Sequence, residues 1–141
     1  SLSWARANRS TLVRVPGYRP NREMACRLEL RSPDPSANPY LTFAVMLAAG
    51  LAGIEEGLEP PAPIEDRDLF TQTRQELLRQ GFRTLPESLG QAVELFRGSK
   101  LMRETLGDHI CDYLVEAKQA EWDEYQSNVS TWELDRYLAV L

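Results

Sequence analysis

Apolar and polar positions change rhythm along this chain, and each rhythm predicts a different element. Thr11 to Val15 is rich in β-branched residues and stops at Pro16-Gly17, a turn signal. Met24 to Arg31 alternates: Met24, Cys26, Leu28 and Leu30 fall on one face, and Ala25, Arg27, Glu29 and Arg31 on the other. These segments predict an antiparallel strand pair joined by an Arg-containing loop, residues 17–23. Proline then punctuates residues 32–39. Asn38 is a good N-cap and Pro39 suits a first helical position, so a helix is expected from Pro39 to about Glu56. It is apolar nearly all round through Ile54, which predicts burial.

The remainder reads as helices. One is expected over about Asp68–Arg79, closed by Gly81. Thr84 to Glu87 has the spacing of a capping box and predicts a helix to about Phe96. Ser99 caps a short helix that stops at Gly107, and Asp108 opens the longest, to about Gln126. Ser130 to Glu133 is a further capping box, starting a last helix with Trp132, Leu134, Tyr137 and Leu138 as packing residues. The predicted class is α+β: a strand pair followed by a mainly helical region. Two strands cannot make a stable sheet alone. With the start at Ser1, this predicts one incomplete domain over 1–141 whose fuller sheet lies upstream.

At 141 residues, with 43% hydrophobic and 26% charged residues, the composition is that of a globular domain rather than a disordered or low-complexity chain. No apolar run is long enough to span a bilayer, and no signal peptide is legible. Cys26 and Cys111 lie far apart without metal-ligand spacing and predict two reduced, buried thiols, which suits the cytoplasm. His109 is the only histidine and reads as a helix residue.

Charge changes the picture further. The net charge is −5, but residues 1–31 carry seven Arg, no Lys and two acids, a balance of +5. The rest holds nine basic and nineteen acidic residues, a balance of −10. A guanidinium pairs bidentately with carboxylate or phosphate and stays charged when desolvated. Strand periodicity puts Arg27, Glu29 and Arg31 on one face, where two guanidiniums flank one hard oxygen ligand of the kind Mg²⁺ prefers. Two readings follow from spacing: an anion-and-cation site, or an Arg–Glu–Arg ion-pair ladder on a solvated strand. If the first strand begins near Thr11, Arg9 sits in the turn before it and can face the same anion as Arg14 and Arg27. A nucleotide phosphate suits this edge. A nucleic-acid partner does not, because aromatic interleaving and a recognition-helix pattern are missing and the chain is acidic overall.

Two motifs carry a resemblance. Asn8 to Pro16 (NRSTLVRVP) and Arg27 to Tyr40 (RLELRSPDPSANPY) resemble the C-terminal part of the catalytic domain of the glutamine synthetase family, prokaryotic type, and Leu41 to Glu56 continues the likeness. The resemblance implies an ATP-dependent glutamate–ammonia ligase that works through a γ-glutamyl phosphate. It implies Mg²⁺ or Mn²⁺, a cytoplasmic location and a ring-shaped homo-oligomer for the whole protein. By position it implies that Arg9 contacts nucleotide phosphate and the reacting glutamate, and that Arg14 and Arg27 contact nucleotide. Glu29 would be a divalent-metal ligand and Arg31 would hold the substrate glutamate. A further nucleotide contact falls on Arg22, with Arg19 the alternative in the same loop. The family's other metal ligands, its shielding loop and its N-terminal β-domain lie upstream of the matching region, so a chain of this extent is expected to be inactive alone. Some bacterial relatives are adenylylated on a Tyr; Phe70 stands at the matching position here, where no hydroxyl can be modified. Two alternatives stay open: a sister ligase joining glutamate to a polyamine or methylamine, and a non-catalytic structural or regulatory member.

Overall fold

A computed structural model describes all residues except Tyr18, Arg19, Ala139 and Leu141. The chain divides into two compact units, residues 1–85 and 86–141.

The first unit opens with a small mixed sheet. Strands β1 (Trp4–Ala5), β2 (Val13–Arg14) and β3 (Glu29–Leu30) lie in the order β1-β2-β3. β2 and β3 pair antiparallel, as the sequence predicts, and the register sets Val13 opposite Leu30 and Arg14 opposite Glu29. β1 pairs parallel to β2, with Val15 N–H donating to the Ala5 carbonyl at 2.8 Å. Two residues are too few to show a period, so β1 was not legible. Its Ala5 is nonetheless fully buried.

β3 is shorter than the alternation over Met24–Arg31 predicts. Residues Glu23–Ala25 form a 3₁₀ turn, with Met24 exposed. The register explains the stop. Continued from Arg14 opposite Glu29, it sets Pro16 opposite Arg27, and a proline has no N–H for the ladder. Cys26 follows that turn and is exposed, against the expectation of two buried thiols; Cys111 is buried as expected, and both are free.

Helix α1 (Pro39–Glu55) starts where the sequence says it should: Asn38 Oδ1 accepts from the N–H of Tyr40 at 3.0 Å and of Leu41 at 3.4 Å, with Pro39 in the first turn. The expected burial is not met within this chain. No residue of α1 is buried, and Tyr40, Phe43, Leu47, Leu51 and Ile54 form an exposed apolar stripe at helical spacing. The helix expected over Asp68–Arg79 is two pieces. Asp68 caps a 3₁₀ turn, Leu69–Thr71, and Gln72 is extended; Thr73 and Glu76 then form a reciprocal capping box that starts α2 (Arg74–Arg79). Buried Leu69 and Leu77 anchor these pieces.

The second unit is helical. α3 (Leu89–Arg97) is capped by Ser88, not Thr84. Leu85 precedes Pro86, which pushes it away from the helical region, so it cannot serve as a first helical residue. α4 (Lys100–Leu106) is capped by Ser99 as expected and stops at Gly107, whose φ of +78° suits glycine. α5 (Asp108–Ser127) packs on α3 and α4, and α6 (Thr131–Tyr137) starts with the predicted Ser130–Glu133 capping box. α3 and α5 meet closely: a Cβ built on Gly90 would lie 2.5 Å from Trp122 Nε1. Among the described residues no helix is long and apolar enough to cross a membrane.

Candidate functional site

The sheet edge in the first unit carries the charged cluster. Pairing of β2 with β3 places Arg14 directly across from Glu29. Arg14 Nη1 donates to Glu29 Oε2 at 3.0 Å. Two residues back on the same chain, Arg27 grips the other oxygen: Nε and Nη2 lie 3.1 and 2.7 Å from Glu29 Oε1. Arg27 Nη1 also donates to the Ala25 carbonyl at 3.3 Å, which ties the side chain to the 3₁₀ turn. The short strand and the turn thus supply opposite sides of one carboxylate grip.

Hydrogen bonding from Arg14 is the largest influence on Glu29, followed among favourable ones by that from Arg27, and together they hold its carboxyl below the ordinary carboxylate range. Glu29 is therefore an ionised, hard oxygen donor at neutral pH. A carboxylate has about four lone-pair sites, and the two arginines occupy three of them. The fourth, on Oε2, has no hydrogen-bond partner among the described residues. Glu29 thus fits as one ligand of a divalent cation and no more: among the described residues no three His, Cys, Asp or Glu side chains gather in a way that could hold one. Arg14 Nε is buried and makes no hydrogen bond among the described residues.

The other predicted residues do not join this cluster. Arg9 lies in the turn at residues 9–10 before β2, where the sequence reading put it, and is exposed. Arg31 follows β3, with its backbone N–H donating to the Leu12 carbonyl at 2.9 Å. Arg22 caps the 3₁₀ turn through its backbone. The side chains of Arg9, Arg22 and Arg31 form no ion pair among the described residues, and all three are exposed. Arg19 lies outside the described residues. Beside the sheet, Trp4, Leu12, Val13, Val15 and Leu28 help line an apolar groove of about 460 Å³.

Sequence reasoning missed what holds the turn that carries Arg9. Asn8 Nδ2 donates to the carbonyls of Ile64 and Arg67, at 2.9 and 2.6 Å, and Ser10 Oγ accepts from Leu69 N–H at 3.0 Å. Nothing in the spacing of residues 8–10 and 64–69 announces contacts 56 to 59 residues apart in the chain.

The family model for the glutamine synthetase catalytic domain matches residues 1–137. Glutamine synthetase of Mycolicibacterium smegmatis is 48% identical over 140 residues, covering 99% of this chain and 31% of that protein. Glutamine synthetase of Thermus thermophilus is 46% identical over 139 residues, with 99% and 30% covered. A solved structure described as "Apo GmaS without ligand" superposes with a TM-score of 0.76 at 32% identity, covering 97% of this chain and 30% of that one. The chain thus spans about three-tenths of the length of the relatives it matches. On the family model and these identities, this chain belongs to the glutamine synthetase catalytic-domain family.

Proposed function

We propose that this chain is the C-terminal portion of the catalytic domain of an ATP-dependent glutamate–ammonia ligase and supplies the glutamate- and phosphate-binding edge of its active site. The observation that carries this reading is the Arg14–Glu29–Arg27 cluster, in which one ionised carboxylate keeps a free lone pair between two guanidiniums. A surface ladder gains little from that arrangement, whereas a phosphoryl-transfer site needs fixed cations beside a hard oxygen ligand.

The reaction has two steps. The γ-carboxylate of glutamate attacks the γ-phosphate of ATP, releasing ADP, and ammonia then displaces phosphate from the acyl phosphate. Arg31 holds the glutamate carboxylate. Arg9 stabilises charge developing on the transferring phosphoryl group. Arg14, Arg27 and Arg22 hold nucleotide phosphate. Glu29 contributes one ligand to a bound Mg²⁺ or Mn²⁺, and the remaining ligands come from segments outside these residues. The bound cation, when present, neutralises phosphate charge and helps align the reacting groups. The exposed stripe of α1 supports the same reading, because an apolar helix face of this kind is normally covered.

The test is an assay of the complete enzyme and of residues 1–141 alone with ATP, Mg²⁺ and glutamate, plus ammonia or methylamine. Glutamine formed by the complete enzyme, and none by residues 1–141, is the expected result. A complete enzyme that forms product only with methylamine would assign the sister ligase activity. One that consumes ATP with neither of these amines nor a polyamine would refute the ligase reading.

A further inference from the structure

We propose that Asn8 and Ser10 are positioning residues that fasten the Arg9 turn to residues 64–69 and so fix the Arg9 guanidinium for phosphoryl transfer. The inference rests on the reading of Arg9 given above. It comes from how the three residues divide their work. Asn8 and Ser10 are half-buried and Arg9 between them is exposed. Asn8 uses its whole amide. Nδ2 reaches the Ile64 and Arg67 carbonyls, while Oδ1 accepts from Ser10 N–H at 2.9 Å and lies 2.8 Å from Ser10 Oγ. Ser10 has a single hydroxyl proton. It goes to Asn8 Oδ1 rather than to the Arg67 carbonyl, 3.3 Å away, and leaves the oxygen free to accept from Leu69 N–H.

The anchor itself is firm. Leu69 is 4% exposed and Thr11, next along, 2%. Thr11 Oγ1 lies 3.1 Å from both the Asn8 and the Val13 carbonyls, which closes the turn from below. Glu65 fastens the approach: Oε1 accepts from Arg6 N–H at 2.8 Å and Oε2 from Ala7 N–H at 3.1 Å. Both backbone neighbours of Arg9 are therefore held, while its side chain stays free to meet a ligand. Small errors in placing such a group are costly in catalysis, because the benefit depends on pre-set geometry.

The test is a double-mutant cycle on kcat in the complete enzyme, using Asn8→Ala and Arg9→Ala. Acting through Arg9, Asn8→Ala should lower kcat by about tenfold in the wild-type background and by less than about twofold in the Arg9→Ala background. Ser10→Ala should behave alike, with Ser10→Thr, which keeps the hydroxyl, restoring most of the rate; this arm decides the matter if Asn8→Ala does not fold. Equal losses in both backgrounds would overturn the positioning role and leave the Arg9 reading standing. An Arg9→Ala enzyme with unchanged kcat would instead overturn the Arg9 reading, and with it this inference.

Discussion

At the scale of single residues, Glu29 divides its carboxylate between two arginines: Arg14, set across from it by the strand register, takes one oxygen and Arg27 the other. Two-residue spacing makes Arg27 and Arg31 equivalent partners, yet among the described residues only Arg27 joins the cluster. Because the Glu29 carboxyl is held below its ordinary value in the folded state, its ion pairs stabilise the fold above the ordinary glutamate pKa. That contribution fades as pH falls through the lowered value. Glu29→Gln should therefore flatten the rise of Tm with pH across the acid range. A Tm–pH slope identical to wild type would show that the ion pairs do not bear on stability. In the complete enzyme the same variant should also lower metal-dependent kcat by about 100-fold or more. Phe70 gives a sharper expectation. It is 75% exposed in its 3₁₀ turn and has no hydroxyl. Incubation with an adenylyltransferase and labelled ATP should leave wild type unlabelled, and Phe70→Tyr is the variant in which label could appear.

Among the elements, caps were the most readable feature and strands the least. Asn38, Ser99 and Ser130 start helices as their residue types predict. Thr73–Glu76 has the same logic and was overlooked inside a longer apolar pattern, while Thr84–Glu87 has the spacing but is spoiled by Pro86. The strands are two residues each, too short for alternation to set their ends. The α3–α5 contact depends on Gly90, since an added methyl would enter the Trp122 ring edge. Gly90→Ala should destabilise the fold by about 1–3 kcal/mol. The loss should shrink in a Trp122→Leu background, which removes the ring. Chemical denaturation of both pairs checks this, and equal losses in the two backgrounds would contradict it.

For the molecule as a whole, the sequence reading of α1 was right about the helix and its length and wrong about burial within these residues. Periodicity reports how apolar a surface is, not what lies against it. Phe43, Leu47, Leu51 and Ile54 are exposed here, and a stripe of this kind drives association. Phe43→Ser with Leu47→Gln should make residues 1–141 more soluble and, in the complete enzyme, lower Tm; an unchanged Tm would mean that the face stays open there too. On the proposed function, the arginine edge binds glutamate and ATP at separate, identifiable side chains. Steady-state kinetics of Arg31→Lys in the complete enzyme, with glutamate and ATP titrated separately, tests it most directly. A lysine cannot reproduce a bidentate guanidinium–carboxylate contact, so the glutamate KM should rise by about tenfold or more while the ATP KM changes by less than about twofold. A glutamate KM equal to that of wild type would contradict the account.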